Sequence, residues 1–262
     1  MTDVVVAGSG RCGLHAARIL AEAGLKVTVV ERLPETGGQE PERDARKLEK
    51  AARRAGAEFK LGTLVVSYRD AVVETLGIDG AWSAEIRALV LATGTRPRTR
   101  AELGISGDRG AGVLPGSAAV HFLDSGLLMG YHPVVIGHGE LARHLGEALL
   151  DKGARTVTSV ADQPRIGHWP SQIRQIDNAR VAAVHGFPHL RSATVVSESD
   201  TERVDTDAIL LACGRVPMRN VEGAVAPGPT IADCFSTDDP KTDAEALRAA
   251  RSAALRVHQI VS

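Results

Sequence analysis

The residues with the clearest capacity for chemistry stand at the start of the chain, where an apolar strand meets a glycine-rich turn. Val4 to Ala7 is followed by Gly8, Gly10 and Gly13. In a strand–turn–helix unit this spacing cradles a dinucleotide pyrophosphate, because the first glycine permits the turn, the second admits the phosphates and the third lets the helix pack on the strand. Glu31 follows at the distance where a carboxylate accepts hydrogen bonds from ribose hydroxyls.

A βαβ unit must position these residues. The glycine turn is expected to open a helix that Gly24 ends, with Ala17 and Leu20 on the face toward the sheet. The N-terminus of that helix offers N–H groups and the positive end of its dipole to the phosphates. Val27 to Val30 is the second strand, and a charged surface helix is predicted over residues 41–56.

A second unit of the same kind is predicted further along the chain. It opens with the strand Pro133 to Ile136 and closes with the strand Thr156 to Val160. Between them lies a GxGxxA turn into a helix, made by Gly137, Gly139 and Ala142. The order of elements matches the first unit.

The second turn departs from the first in its acidic residues. Ala161 stands where a ribose-binding carboxylate is expected, and no arginine pair follows at once to hold a 2′-phosphate. Glu140 lies inside the loop, where its charge would repel a pyrophosphate. NAD(P) is therefore a candidate ligand of the second unit, but the charges in its loop disfavour binding. The favoured interpretation is a βαβ unit that packs without a ligand.

Two continuous apolar runs, Leu89 to Leu91 and Ile209 to Leu211, predict parallel strands that are buried on both faces. Residues 58–87 alternate between apolar and polar, which predicts an antiparallel meander with a hairpin at Asp79-Gly80. The apolar members of this meander are Phe59, Leu61, Val65, Val66 and Val72.

The fold class that follows is α/β, with two Rossmann-like domains of parallel sheet, the second inserted into the first, and an antiparallel meander. The first domain is expected to comprise residues 1–106 and 220–262, and the second residues 107–219. At 262 residues, 44% hydrophobic and 24% charged, the chain has an ordinary globular composition.

The charge and cysteine content exclude some classes of protein. A formal net charge of -1 gives no sign of a nucleic-acid partner. No apolar run reaches the length of a membrane span, and no secretory signal is expected. Three cysteines, Cys12, Cys213 and Cys234, are too few and too scattered for a disulfide framework, which favours a reducing cytoplasm.

Two glycine fingerprints, each followed by an apolar strand that ends in Ala-Thr-Gly or Ala-Cys-Gly, resemble the flavoproteins of the thioredoxin reductase and pyridine nucleotide-disulfide oxidoreductase type. The resemblance implies that FAD binds in the first domain. It implies a cofactor site made by Gly8, Gly10, Arg11, Cys12, Gly13, Glu31, Arg32, Gly38, Gln39, Val65, Val66, Ala92, Thr93, Gly94 and Asp233.

The segment from Ile105 to Ala142 is similar to flavoprotein subunits of hydrogen cyanide synthase, opine oxidase and dye-linked L-proline dehydrogenase. Such subunits work in multi-component dehydrogenases, beside a second flavin subunit and a small iron–sulfur component. This resemblance implies partner subunits, and the helix around Val120 to Leu128 is a candidate contact surface.

Several departures limit what the resemblance carries. The sequence has no Cys-x-x-Cys, which excludes the dithiol chemistry of thioredoxin reductase. The late FAD motif survives only as Ile231 to Asp233, with alanine for glycine, while Thr242 and Glu245 predict a capping box on the last helix. His185 and His189 lack a third ligand, so no metal site is predicted.

The function expected from these features is that of an FAD-dependent oxidoreductase, or a flavoprotein subunit of a multi-component dehydrogenase. It would pass electrons from a small-molecule donor or NAD(P)H to a partner, and because the cofactor carries the chemistry no catalytic side chain is named. The alternative is a non-catalytic scaffold or regulatory subunit that keeps the dinucleotide-binding fold.

Overall fold

The computed structural model describes residues 2–38, 42–165, 167–218, 225, 228–235 and 242–262. The chain divides into two compact units, Met1–Arg96 with Pro217–Ser262, and Pro97–Val216. The second unit is thus inserted into the first, and both are α/β with parallel sheets, as the fold class predicts. The domain limits predicted above, 106/107 and 219/220, stay predictions.

In chain order the elements are β1 (Val4–Ala7), α1 (Arg11–Glu22), β2 (Val27–Val30), α2 (Glu42–Arg54), β3 (Glu58–Lys60), β4 (Thr63–Arg69), β5 (Val72–Gly77), β6 (Gly80–Glu85), β7 (Ala88–Leu91), β8 (Thr95–Pro97), β9 (Ser106–Gly107), β10 (Val113–Pro115), α3 (Gly116–Asp124), β11 (Val134–Ile136), α4 (Glu140–Asp151), β12 (Val157–Ala161), β13 (Ile173–Asp177), β14 (Ala179–His185), β15 (Ser192–Ser197), β16 (Thr201–Asp205), β17 (Ile209–Leu211), β18 (Arg215–Pro217), β19 (Ile231–Asp233) and α5 (Asp243–Val261).

The first unit has three layers, and the middle one is a parallel sheet of order β19-β7-β1-β2-β3. Successive residues of β1 point to opposite faces, and both faces are covered. Val4 and Val6 pack with the helical layer of α1 and α5, whereas Val5 and Ala7 pack with the antiparallel layer of β4, β5 and β6. This double burial is why β1 is apolar at every position.

The predicted meander is confirmed for β4, β5 and β6, which pair antiparallel. The turn between the last two is one residue earlier than the predicted Asp79-Gly80, because Gly80 pairs with Gly77 and leaves Ile78 and Asp79 as the turn residues. Its predicted first member is wrong. Phe59 lies in β3, which pairs in parallel with β2, with Phe59 opposite Val29. The guanidinium of Arg53 lies 4.1 Å from the centroid of the Phe59 ring. A three-residue strand carries too little pattern to show which sheet it joins.

The second unit repeats this arrangement with a parallel sheet of order β10-β17-β11-β12-β13. Val135 of β11 packs with α3 and α4, while Val134 and Ile136 pack with the antiparallel strands β14, β15 and β16. The unit therefore again has helices on one face of the sheet and antiparallel strands on the other. Within the described parts of the chain, no helix is both long enough and apolar enough to span a membrane.

Candidate functional site

Two glycines of the first loop are required by backbone packing. Gly8 has a φ of +104° and donates its N–H to the Val30 carbonyl at 2.8 Å. A Cβ at Gly8 would lie 2.4 Å from the Ala92 carbonyl oxygen, and a Cβ at Gly13 would lie 2.1 Å from that of Gly8. Any side chain at either position would collide with backbone, so these two glycines hold α1 against the carboxyl end of the sheet.

Gly10 is different, because neither its conformation nor its packing calls for glycine. Its φ of -67° and ψ of 179° are open to any residue, and a Cβ there would meet nothing within 4 Å. Gly10 is the N-cap of α1 and makes no side-chain cap. The space in front of it faces the N-terminus of a helix, whose first N–H groups and dipole favour a phosphate. The position in front of Gly10 therefore has the features of a phosphate site.

Glu31 directly follows β2 and is buried, with 6% of its surface exposed. Its Oε2 accepts hydrogen bonds from the Ser9 N–H at 2.8 Å and the Ser9 hydroxyl at 2.7 Å. Its Oε1 accepts one from the Leu33 N–H at 3.0 Å. A carboxylate offers about four acceptor positions, so these three bonds leave about one of them for a further donor. The structure adds a role that the sequence did not show, since Glu31 also holds the glycine loop in place.

The segment after β2 returns to the same loop. The Gly37 N–H donates to the Ser9 carbonyl at 2.9 Å, and a Cβ at Gly38 would lie 3.6 Å from the Cα of Gly10. The structure thus brings Gly38 to the first loop, whereas Arg32 is exposed on the turn that precedes it. Gln39 lies outside the described residues.

The predicted residues after β7 border the loop from the other side. Ala92 is buried and donates its N–H to the Ala7 carbonyl at 2.8 Å. The Thr93 hydroxyl donates to the Met218 carbonyl, and the Gly94 carbonyl accepts the Met218 N–H at 2.8 Å. This Ala-Thr-Gly turn is therefore fixed to the chain where it leaves β18.

The other predicted residues lie on β4 and β19. Val65 and Val66 are half-buried on β4, where a bulge follows Val65. Asp233 is the exposed last residue of β19, whose register places it opposite Leu91 of β7. It therefore lies at the same carboxyl edge of the sheet as the first loop.

The N-terminus of α5 is tied to α1 by side chains that the sequence did not single out. The predicted capping box is present, since the Thr242 hydroxyl accepts the Glu245 N–H at 3.2 Å and the Glu245 carboxylate accepts the Thr242 N–H at 2.8 Å. The Asp243 carboxylate lies 3.0 Å from Nε2 of the buried His15 and 4.0 Å from Nε of Arg11. The sequence could not predict this link, because His15 and Asp243 are 228 residues apart and meet only in the folded chain.

The second loop is packed against its sheet in the same way as the first. Gly137 donates its N–H to the Val160 carbonyl at 3.0 Å, and its Cβ would lie 2.4 Å from the Ala212 carbonyl oxygen. Ala142 is fully buried. Gly139 has a φ of -89° and a ψ of -174°, and a Cβ there would meet nothing within 4 Å. In this loop too, the middle glycine is left open.

The strand registers match the two loops residue by residue, and they show where the chemistry differs. Ala7 pairs with Val30 in the first sheet as Ile136 pairs with Val160 in the second. Ala161, which is 1% exposed, therefore takes the place of Glu31. His138 takes the place of Ser9, and its buried Nδ1 has no hydrogen-bond partner among the described residues.

One detail of the second loop differs from the sequence-based prediction. Glu140 is the first residue of α4 rather than a loop residue, and it is exposed. A carboxylate in the first turn of a helix is favoured by the helix dipole, so its position has a structural reason. The charge still stands beside the path that a pyrophosphate would take over Gly139.

The basic side chain that follows β12 is held by the protein itself. The Arg165 guanidinium donates to the Ser159 hydroxyl at 2.6 Å, to the Ser159 carbonyl at 3.0 Å and to the Asp177 carboxylate at 2.7 Å. Its centre lies 4.7 Å from the Trp169 ring. These contacts account for the burial of the Arg165 side chain, which links β12 to β13 at the edge of the sheet.

Other candidate groups have structural explanations. Nε2 of His185 lies 2.8 Å from the Thr194 hydroxyl, and the described residues contain no cluster of three or more His, Cys, Asp or Glu able to hold a metal. Burial raises the pKa of the Cys213 thiol to about 11, so this thiol is protonated at neutral pH.

The contrast between Gly13 and Gly10 yields a stability prediction. Gly13→Ala should lower the melting temperature clearly, because the new methyl group would collide with the Gly8 carbonyl. Gly10→Ala should leave it unchanged or slightly raised, because its methyl group meets nothing and alanine restricts the unfolded chain. Thermal unfolding of the cofactor-free protein measures both. Equal losses would contradict the assignment of Gly10 to a ligand rather than to the fold.

Comparisons with known proteins agree with this geometry. Residues 2–114 match the family model described as pyridine nucleotide-disulphide oxidoreductase. The chain is similar to the NADH-dependent phenylglyoxylate dehydrogenase subunit epsilon of Aromatoleum evansii, at 35% identity over 97 residues that cover 36% of this chain and 23% of that protein. It is also similar to the glutamate synthase [NADPH] small chain of Halomonas elongata, at 25% identity over 229 residues that cover 77% of this chain and 45% of that protein.

The chain therefore spans less than half the length of the curated relatives it matches. Among solved structures, thioredoxin reductase of Lactococcus lactis aligns with a TM-score of 0.65 and 18% identity, over 100% of this chain and 99% of that one. The chain thus has the thioredoxin reductase-like, two-domain dinucleotide-binding fold, and residues 2–114 match the pyridine nucleotide-disulphide oxidoreductase family model.

Proposed function

We propose that this protein is an FAD-dependent oxidoreductase that works as the flavoprotein subunit of a larger dehydrogenase. The observation that carries the proposal is the open position in front of Gly10. Glycine there serves neither the backbone conformation nor the packing, yet it keeps free the space at the N-terminus of α1. The buried carboxylate of Glu31 stands beside that space. Together they form the two halves of an ADP-binding site.

The residues of the chain would bind and orient the cofactor. The first N–H groups of α1 would bind the pyrophosphate, Glu31 would accept a hydrogen bond from the ribose, and Asp233 would bind the ribityl chain. The dipole of α5, whose N-terminus is linked to His15, would favour negative charge near the flavin ring, and the carboxylates of Asp243 and Glu245 in its first turn would oppose it. Bound FAD would supply the electron transfer, and the protein would supply binding and orientation.

The electron donor is proposed to be a small organic molecule rather than NAD(P)H. The open Gly139 keeps the shape of a nucleotide loop, but Ala161 brings no carboxylate for a ribose. Glu140 adds negative charge, and Arg165 is occupied within its own unit. The second unit therefore has the fold of a nucleotide site without the groups that usually select one.

The acceptor is proposed to be a partner subunit. The sequence contains no Cys-x-x-Cys, so the dithiol route of thioredoxin reductases is closed. The two curated relatives are by name a dehydrogenase subunit and the small chain of a synthase. A flavoprotein of this kind would work in the cytoplasm beside other redox subunits.

Gly10→Val should abolish FAD binding while the protein still folds, because the side chain would fill the space that the phosphates need. Gly139→Val is the matched control, since it places the same side chain at the equivalent open position of the second loop. Flavin content after reconstitution with FAD measures both variants. Full flavin content in Gly10→Val would refute the first loop as the site. A wild-type protein that takes up no flavin would refute the proposed function and favour the non-catalytic scaffold instead.

Reduction by pyridine nucleotides should be slow or absent, because the second loop lacks the ribose carboxylate and carries Glu140. Anaerobic titration of the FAD-loaded protein with NADH, and separately with NADPH, measures this directly. Rapid bleaching with one equivalent of either nucleotide would show that the donor proposal is wrong. Glu140→Gln separates the two causes, since it removes the charge and leaves Ala161 in place.

The protein purified from its native cell should elute from a sizing column in a complex larger than one chain. The reason is that a flavin needs both a donor and an acceptor, and the sequence has no Cys-x-x-Cys to pass electrons on as in thioredoxin reductases. A lone chain that reduces oxygen or a soluble dye at a useful rate with a small organic donor would contradict the need for a partner.

A further inference from the structure

Two cysteines that are far apart in the sequence meet beside the first loop. Cys12 is the second residue of α1 and is half-buried, whereas Cys234 directly follows β19 and is 1% exposed. The Cys234 thiol donates to the Cys12 carbonyl at 3.5 Å across 222 residues of sequence. Both belong to the first unit, and the Cys234 N–H is anchored on the Leu91 carbonyl at 2.9 Å.

The two side chains also pack in the same apolar cluster, in which Cys234 is buried and Cys12 is partly buried. The hydrogen bond with the Cys12 side chain raises the pKa of Cys234, and burial raises it further. Cys234 therefore stays a thiol at neutral pH. Cys12 is the member that an outside reagent reaches, because it is half-buried in the first turn of α1 whereas Cys234 is 1% exposed.

We propose that Cys12 and Cys234 form a reversible disulfide whose oxidant is hydrogen peroxide. Sequence spacing gives no sign of this pair, because it is created by the packing of β19 and α1 at the carboxyl edge of one sheet. The inference rests on the two cysteines alone and does not depend on the proposed function.

The reaction balances in two steps. The Cys12 sulfur attacks one peroxide oxygen and the O–O bond breaks, which gives a sulfenic acid on Cys12 and one water. The Cys234 sulfur then attacks the Cys12 sulfur, the S–O bond breaks, and the hydroxyl leaves as a second water with the Cys234 proton. Two thiols are oxidised to one disulfide, and one peroxide is reduced to two waters.

The bond would fasten the start of α1, and with it the loop from Gly10 to Gly13, to the strand that carries Asp233. It would therefore join two segments that border the same edge of the sheet. Oxidation would restrict relative movement of the loop and of β19.

The test uses the full-length reduced protein, treated with hydrogen peroxide and then quenched. The expected result is a fall from three titratable thiols to one under denaturing conditions, with all three restored by dithiothreitol. Trypsin without reductant should release residues 12–18 joined to residues 220–241. Cys213→Ser is the matched control and should show the same linked peptides, with two thiols falling to none.

Cys12→Ser and Cys234→Ser should each keep both remaining thiols and give no linked peptide. Should a Cys234 variant fail to fold, the linked peptides of the wild-type and Cys213→Ser proteins decide the matter. Oxidation of Cys12 alone to a sulfinic acid, or a link that involves Cys213, would overturn the proposal.

Discussion

The close approach of the first glycine loop to the end of the neighbouring strand is the contact on which the rest of the first unit depends. Gly8 lies so near the Ala92 carbonyl that a side chain has no room, and Gly13 lies as near the Gly8 carbonyl. These contacts bring the N-terminus of α1 to the carboxyl edge of the sheet, where Glu31 directly follows β2. The same contact recurs between Gly137 and Ala212. The loop geometry is therefore a property of backbone packing, and the ligand chemistry is added to it.

Because backbone packing sets the loop shape, two loops of one shape can carry different polar groups. In the first, the Glu31 carboxylate accepts hydrogen bonds from the N–H and hydroxyl of Ser9, which fixes the loop with a charge beside it. In the second, an alanine replaces the acid and a histidine replaces the serine, and Nδ1 of His138 is left without a hydrogen-bond partner in the described part of the chain. Both units have the same loop shape, whereas a buried carboxylate directly after the second strand is present only in the first.

Local pattern was enough to predict the elements around both loops. The structure has the first three elements where the sequence predicts them, namely the strand Val4–Ala7, the helix ended by Gly24 and the strand Val27–Val30. Each strand is a mostly apolar run, and the helix is ended by a glycine with a positive φ. Phe59 was assigned to the wrong sheet, because three residues carry no information about the partner strand. The contacts between His15 and Asp243 and between Cys12 and Cys234 could not be predicted, because only the packing of α1 against distant elements creates them.

The central claim is that the first loop binds the ADP half of FAD. A calorimetric titration of the cofactor-free protein with FAD, repeated in the presence of ADP and then with FMN in place of FAD, tests it most directly. The account predicts one FAD per chain, competition by ADP, and no binding of FMN, because FMN lacks the adenosine and the second phosphate that Glu31 and the N-terminus of α1 would hold. Binding of FMN as tight as that of FAD, or no effect of ADP, would contradict it.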